Sequence, residues 1–269
     1  MIEHIGRRRR MRTVAMRSAI GILLLVQGRA ALAGREPAAE TAARRTLDAM
    51  GGADAFARLR TLRFDFVVLK QGTEAGRWAH VWDRHDGRYR LEGARGGKKL
   101  VVLFNVNDHG TPSAGAFRAW SEGVEVRDEA ERTKLAEFAY DRFINDTYWL
   151  LMPAKMLDSG VNLASDGEAT EGGRSFDRVR LTFDKVGLTP GDTYRAWIAR
   201  DSGLMEKWDF VLEGQKESDR ATFLWQEWKP VGPVRLSSLK KTPDGAFGIR
   251  FDNLSGSTVA EDAAFAPPR

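Results

Sequence analysis

The residues that could carry chemistry are few, and they form no familiar catalytic pattern. The chain has four histidines and no cysteine. His80 and His85 are separated by an odd interval, which directs them to opposite faces of a strand. No His-Glu-x-x-His helix and no Gly-x-Ser-x-Gly turn is present, and no serine has a nearby His and Asp to activate it. The sequence therefore predicts no metal site, no cofactor and no enzymatic activity.

Two pairs of carboxylates are close enough in sequence to be considered as an acid and a base. Asp83 precedes Asp86, and Asp141 precedes Asp146. Glycoside hydrolases use two such groups on either side of the scissile bond. Both pairs fall in predicted turns or on predicted helix surfaces, and the chain contains 37 acidic residues in all. The pairs therefore give no support to glycosidase chemistry.

Aromatic residues are the more suggestive feature. The chain has eight Trp and 14 Phe, most of them in segments that read as strands. They either fill a core or line a cavity for an apolar ligand, because ligand pockets are mostly hydrophobic with few polar groups. His80 lies between two tryptophans, either as a wall residue packed on them or as a polar group inside a cavity. Alternation alone selects as cavity-lining residues Phe64, Phe66, Trp78, His80, Trp82, Trp149, Leu151, Trp208 and Phe210.

The elements that must position these residues are mostly strands. Apolar residues alternate with polar ones in residues 62–68, and Asp86-Gly87 is typical of a tight hairpin turn. Similar segments separated by turn residues continue to residue 251, interrupted once in the middle. The pattern predicts roughly eleven strands in a mainly β (α+β) fold, either a half-open antiparallel β-barrel or a strongly curved sheet.

Two segments have helical patterns. Residues 38–50 are rich in Ala, Leu and Met and end at Gly51-Gly52. Residues 129–156 form a longer segment whose apolar face includes Leu135, Phe138 and Trp149, with Pro153 near its end. A curved sheet needs an element to cover its concave face. We therefore expect the longer helix to act as a lid or plug.

The first 33 residues have the order of a secretory signal. Arginines at positions 7–10 precede the apolar run 20–26, and Ala31-Leu32-Ala33 supplies small residues at a cleavage site. The run is shorter than the about 20 apolar residues that span a bilayer. An uncleaved anchor is the alternative. We predict a cleaved signal at 1–33, followed by one exported domain over residues 34–269.

The charge of the chain lies largely in that segment. The whole chain has a formal charge of +5, with 42 basic and 37 acidic residues. Residues 1–33 contain seven of the basic residues and one of the acidic ones, which leaves 35 and 36 for the rest. No basic stripe with interleaved aromatics follows, so nucleic acid is not predicted as a partner. Without cysteine, the exported part has neither disulfides nor the lipidated cysteine of bacterial lipoproteins.

The order of elements and four segments resemble the periplasmic lipoprotein-carrier (LolA-like) superfamily, and in particular uncharacterised secreted bacterial proteins close to it. The segments are residues 47–56, 82–90, 144–153 and 186–192. The resemblance implies a half-open barrel whose hydrophobic cavity is covered by helices and holds acyl chains. It also implies a periplasmic location. We consider an envelope membrane protein or a lipoprotein as candidate partners, which the fold alone does not imply.

Two functions of different kinds follow from these observations. The first is a periplasmic binding or carrier protein that holds a lipid, a lipoprotein acyl chain or another apolar ligand in the barrel. The second is a structural or interaction protein whose barrel is filled and binds no small molecule. The volume of the interior distinguishes them, because a filled barrel contains only water-sized voids.

Overall fold

The computed structural model describes residues 34–109, 117–184 and 189–268. The predicted signal at 1–33 and residues 186–188 lie outside these ranges. The described residues contain thirteen strands in one antiparallel sheet. Their bounds are β1 Thr61–Lys70, β2 Thr73–Asp83, β3 Arg88–Arg95, β4 Lys98–Asn105, β5 Arg118–Ser121, β6 Val124–Glu125, β7 Val161–Glu171, β8 Arg174–Phe183, β9 Thr193–Ala199, β10 Met205–Val211, β11 Ala221–Val231, β12 Val234–Lys241 and β13 Phe247–Ser257.

The sheet is a meander that runs outward from its centre in both directions. Its order is β6-β5-β4-β3-β2-β1-β13-β12-β11-β10-β9-β8-β7. The first and last strands are paired in the middle, where Phe66 is opposite Phe251. The two outermost strands, β6 and β7, are consecutive in sequence. The segment between them must therefore travel from one edge of the sheet to the other.

That segment is the long helix α3, Glu129–Lys155. The Asp128 side chain accepts a hydrogen bond from the Glu131 N–H at its start, and Lys155 lies in its last turn, so both ends suit the helix dipole. At 1.5 Å per residue, a helix of this length extends about 40 Å, which is the width of about eight strands. The predicted long internal helix is confirmed.

Two shorter helices precede the sheet. They are α1, Pro37–Ala49, and α2, Gly52–Arg58. Gly51 joins them with φ +120°, and a Cβ there would lie 3.0 Å from the Pro233 carbonyl oxygen, so only glycine suits this junction. No helix among the described residues is both long enough and apolar enough to cross a membrane.

The antiparallel sheet with an N-terminal helix is as expected, but the described strands number thirteen rather than roughly eleven. The two strands that the sequence pattern misses are β6 and β7. β6 has only two residues, too few for alternation to be visible. β7 is an edge strand of which Val161 and Leu163 are buried and the rest is largely polar or exposed, so its sequence does not alternate.

Alternation along each strand gives the sheet two different faces. The face that α3 covers, here called the inner face, is apolar: Phe64 and Phe66 are 0% and 3% exposed. The outer face contains networks of arginines with carboxylates, such as Arg77 with Glu74, Asp65 and Asp252. The hydrophobic core thus lies between the inner face and the helices.

Candidate functional site

All nine residues predicted to line a cavity lie between the inner face and α3. Phe64, Phe66, His80, Leu151, Trp208 and Phe210 are buried, whereas Trp78, Trp82 and Trp149 are partly buried. Eight of them belong to three core clusters, and the ring of the ninth, His80, stacks on Phe64. This packing requires no ligand, so the role of these residues as the lining of a ligand cavity stays a prediction.

The aromatic rings of this layer contact one another. The Trp149 ring of α3 lies 4.7 Å from that of Trp208 and 4.8 Å from that of Phe223. Closer to the start of the helix, the Phe143 ring packs edge-on at 5.1 Å against Trp82. These are the offset and edge-to-face arrangements that aromatic pairs prefer. In the described state, α3 and the rings therefore fill the space above the centre of the inner face.

Along one rim of the sheet, side chains of the inner layer are only partly buried. This is the rim at which the β8–β9, β10–β11 and β12–β13 connections lie, since alternate strands of the meander end there. Beside it, α3 and the strand ends present a group of partly exposed side chains, which we call the mouth residues. They are Trp78, Phe138, Arg142, Tyr148, Trp149, Phe183, Tyr194 and Phe247.

A chain of polar groups leads from the mouth into the core. Arg142 Nη2 lies 2.5 Å from Asp146 Oδ2 one turn further along α3. The same oxygen lies 3.1 Å from His80 Nε2, and His80 Nδ1 lies 2.7 Å from the Tyr89 hydroxyl. Arg142 is 21% exposed, whereas Asp146 and His80 are completely buried. The polar chain thus connects Arg142 at the surface with His80 and Tyr89 in the centre of the protein.

Burial fixes the protonation of the inner members of this chain. It lowers the pKa of His80, and the nearby Asp146 carboxylate raises it by less, so the ring is neutral at neutral pH. Burial also raises the pKa of the Tyr89 hydroxyl well above its ordinary value. With the Nε2 proton of His80 facing Asp146, Nδ1 accepts a hydrogen bond from Tyr89.

The outer groups of the polar chain, Arg142 and Asp146, lie close together without being fully hydrogen-bonded. Asp146 Oδ1 accepts a hydrogen bond from the Asn145 amide at 2.8 Å. Asp146 Oδ2, His80 Nε2 and Arg142 Nη2 meet at short distance, yet none of the three forms an aligned hydrogen bond. Buried polar groups are usually satisfied by well-directed partners. This incomplete pairing marks the polar chain as an unusual place in the core.

A second buried cation lies on the inner face. Lys240 is completely buried, and its ammonium nitrogen donates to the Ser237 carbonyl oxygen at 2.6 Å. The nitrogen lies 4.4 Å from the Trp225 ring centre and 4.2 Å from that of Phe251. Burial lowers the pKa of Lys240 well below its ordinary value. The rings shield the amine from water, and no carboxylate among the described residues forms an ion pair with it.

The prediction that Asp146 lies on a helix surface is wrong. Asp146 is fully buried against the sheet, because it shares one stripe of α3 with Leu135, Ala139 and Leu150. That spacing was visible in the sequence and could have identified the residue. Tyr89 follows the Asp86-Gly87 turn on an apolar position, but nothing local marks its contact with His80.

The other predicted carboxylate pair is structural. Asp83 ends β2, and its Oδ1 accepts hydrogen bonds from the backbone N–H groups of His85 and Asp86. Burial raises the pKa of Asp83, but hydrogen bonds from Arg88 and Arg60 outweigh it and hold the value at about 2. A permanently ionised carboxylate that holds a turn is not a general acid. In the described ranges, no group of three or more His, Asp and Glu side chains is placed to hold a metal ion.

Two surface depressions lie elsewhere. One, of about 760 Å³, is bordered by polar side chains around the start of α1, including Asn162, Arg180 and Thr193. A second, of about 390 Å³, lies beside α1 and β8. Neither contains a mouth residue or a residue of the polar chain. Both are bordered in part by charged side chains, such as Arg180 in the first and Arg200 in the second, so they do not match the apolar interior that the sequence predicts.

Comparison with known proteins finds similarity at the level of structure only. No family model and no curated protein matches the sequence. A DUF1329 family protein from Desulfovibrio piger is 11% identical, with a TM-score of 0.46 over 85% of this chain and 97% of that one. A LolA superfamily protein from Nitrosomonas europaea is 9% identical, with a TM-score of 0.45 over 85% and 97%. The Mycobacterium tuberculosis lipoprotein LppX is 11% identical, with a TM-score of 0.30 over 82% and 96%. The superfamily that the sequence resembles is thus among the structural matches.

Proposed function

We propose that this protein binds an apolar, chain-like molecule, such as a lipid or an acyl chain, on the inner face of its sheet. The observation that carries the proposal is the group of partly exposed aromatic mouth residues beside α3. Groups of apolar side chains at a protein surface often mark a binding site, and these rings are only partly buried although they adjoin the core. Tyr148, Trp149 and Tyr194 lie next to the fully buried aromatic layer, so a ligand entering here reaches apolar surface at once.

The energetic basis of such binding is the removal of apolar surface from water. An acyl chain gains about 25 cal/mol for each Å² that it buries. In the described state α3 occupies the space above the inner face, so the ligand must enter as α3 moves outward. We propose that α3 is a lid that exchanges its own apolar contacts for those of the ligand.

The polar chain beneath α3 makes this movement less costly. A buried ion pair contributes little net stability, because the cost of desolvating the ions offsets their attraction. Arg142 and Asp146 both lie on α3, so they move together and regain hydration when the helix leaves the sheet. The middle turn of α3 rests on the sheet through Arg142 and Asp146 rather than through aliphatic side chains alone. The helix can therefore leave the sheet at a lower cost than an entirely apolar helix of equal length.

A second candidate function is a structural or interaction protein with a filled core. The close packing of Trp149 against Trp208 and Phe223 favours it, because these contacts need no ligand. In either case, residues 1–33 are proposed to act as a secretory signal that places the protein in the periplasm, where a carrier would exchange cargo with an envelope protein.

The two functions are separated by the binding of a fluorescent long-chain acyl probe. Full-length chain is expressed, and the purified protein is titrated with the probe. Trp149→Ala should weaken binding at least tenfold while the protein stays folded. Trp197→Ala is the matched control, because Trp197 is also a partly buried tryptophan but lies on β9, on the outer face beside Lys207 and Asp209. Equal binding by both variants, or none by the parent, would exclude an inner-face site.

A further inference from the structure

Arg142 has an unusual combination of surroundings for a partly buried cation. Its guanidinium carbon lies 5.2 Å from the ring centre of Phe66 and 5.4 Å from that of Trp78. Both rings belong to the inner face, one on β1 and one on β2. Aromatic rings attract a cation without neutralising its charge. The guanidinium is thus held in place at the mouth while it retains its capacity to bind an anion.

The arginines of the outer face differ from Arg142 in how they are neutralised. Arg77 contacts three carboxylates, and Arg174 contacts both oxygens of Glu206 together with Asp201. Arg142 has a single ion pair among the described residues, with one oxygen of Asp146. His80 lies against that same oxygen. A guanidinium has five N–H donors in a planar fork. Nε and Nη2 of Arg142 are buried without an aligned hydrogen bond, so most of this fork is not engaged by Asp146 and becomes accessible to a ligand as α3 moves outward.

We propose that Arg142 recognises the anionic head of an amphiphilic ligand, so that the preferred ligands are long-chain molecules ending in a carboxylate or a phosphate. This inference rests on the proposed binding of apolar chains and adds their head group. A guanidinium forms paired, charge-assisted hydrogen bonds with either group. Asp146 is the internal counter-ion that holds the fork when no ligand is bound.

The arrangement along α3 also predicts where the rest of the ligand lies. Trp149 is seven residues after Arg142, which corresponds to about 10 Å along the helix. A head group at Arg142 therefore places an extended chain along the rim towards Trp149, Phe223 and Phe247, whose rings are in contact. Each methylene that is buried along this line should raise the affinity about fourfold, up to the length that reaches Trp149.

The test compares three ligands with the same twelve-carbon chain: dodecanoate, dodecyl phosphate and dodecanol. Calorimetric titrations are made at pH 7.5 with protein purified after expression of the full-length chain. We expect the wild type to bind one or both anions at least tenfold more tightly than dodecanol. Arg142→Gln should reduce that ratio to about one while the affinity for dodecanol stays within threefold. Preference for one anion over the other identifies the head group as carboxylate or phosphate.

Two further variants keep the result interpretable. Arg118→Gln is the matched control and should keep the preference, because Arg118 also lies over a tryptophan, at 4.6 Å from the Trp120 ring, and is paired with Glu125. If Arg142→Gln does not fold, Arg142→Gln combined with Asp146→Asn removes both charges together and is expected to lack the preference. Equal binding of all three ligands by the wild type overturns the role of Arg142, and so does a preference that survives in Arg142→Gln or in Arg142→Gln combined with Asp146→Asn. Failure of the wild type to bind any of the three contradicts the proposed function instead.

Discussion

His80 on β2 and Asp146 on α3 face each other with 3.1 Å between Nε2 and Oδ2, and both side chains are completely buried. The pair joins the centre of the sheet to the middle of the helix that crosses it. Phe64 stacks on the His80 ring with 4.5 Å between ring centres, so the imidazole is held between an apolar wall and a carboxylate. The proposed lid is thus attached to the sheet through a polar contact.

The neutral state of His80 predicts how stability depends on pH. Burial lowers the pKa of His80, while an unfolded chain has a histidine pKa of about 6.5. The unfolded state therefore takes up a proton first, and the free energy of unfolding should fall as the pH drops below about 6.5. In His80→Gln this part of the decrease should be absent. Urea unfolding between pH 7.5 and 5 measures the difference.

His85→Gln serves as the control for that series. His85 is exposed in the turn after β2, with its Nε2 near the Ala57 carbonyl oxygen. His85→Gln keeps His80, so the decrease in the free energy of unfolding that His80 causes at low pH should remain in this variant. If His80→Gln loses stability with acid as steeply as the wild type does, the neutral, buried state assigned to His80 is wrong.

Removal of the Asp146 charge should be strongly destabilising. Asp146→Asn leaves Arg142 partly buried without its counter-ion, and loss of one partner of a buried pair costs about 3–5 kcal/mol. Exposure of Arg142 at the mouth places the expected loss in the free energy of unfolding at the lower end of that range. Asp141→Asn, an exposed change on the same helix, should cost less than about 0.5 kcal/mol. Equal losses in the free energy of unfolding of the two variants would show that the Arg142–Asp146 ion pair contributes no more to stability than an exposed carboxylate does.

Lys240→Met should stabilise the protein at neutral pH or leave it unchanged. Methionine fills the space between Trp225 and Phe251 without an amine to desolvate, and burial of an amine away from water is unfavourable. Burial lowers the pKa of Lys240, whereas a lysine in the unfolded chain has a pKa of about 10.4. The free energy of unfolding of the wild type should therefore rise as the pH increases towards 10.4. The advantage of the variant should therefore shrink from pH 7 to pH 9.5.

Thermal unfolding at several pH values measures this effect, with Lys241→Met as the control. Lys241 is the next residue on β12, and its side chain is directed to the opposite face. A loss of more than about 2 kcal/mol in Lys240→Met, with the pH dependence of the wild type retained, would contradict the account of this lysine.

Gly93 provides a test of the ring beneath Arg142. It is paired with Trp78 across β2 and β3, and a Cβ there would lie 2.5 Å from Trp78 Cε3. Gly93→Ala must push the indole aside, at a cost of about 1–3 kcal/mol in the free energy of unfolding, and it should reduce the preference for anionic ligands. Gly76→Ala on β2 is the control, because no atom lies within 4 Å of its added Cβ. Similar results for the two variants would show that the position of Trp78 does not matter.

Most of the fold could be predicted from local sequence patterns. The period of two in β1 and the turn at Asp86-Gly87 each depend on a few adjacent residues, and the structure follows them. The helical period of α3 is equally local. The edge strand β7 could not be predicted in this way, because a strand with one free edge and little buried surface needs no regular alternation.

The candidate site was only partly accessible from sequence. Alternation correctly placed residues such as Phe66 and Trp208 on a buried face. The contact of His80 with Asp146 joins residues far apart in the chain and depends on where α3 crosses β2, which no local pattern specifies. The position of Arg142 over Phe66 and Trp78 depends on the same crossing. Long-range packing, rather than propensity, therefore determines the polar part of the site.

Native mass spectrometry of the exported protein tests the central claim most directly. The full-length chain is produced in a bacterium with an outer membrane, and the protein is purified from the periplasm without detergent and then extracted with solvent. We expect a stoichiometric adduct whose extracted component is a long-chain, apolar molecule. A mass equal to that of the protein alone, unchanged after incubation with phospholipids and fatty acids, would contradict the carrier function and favour a filled core that acts through its surface.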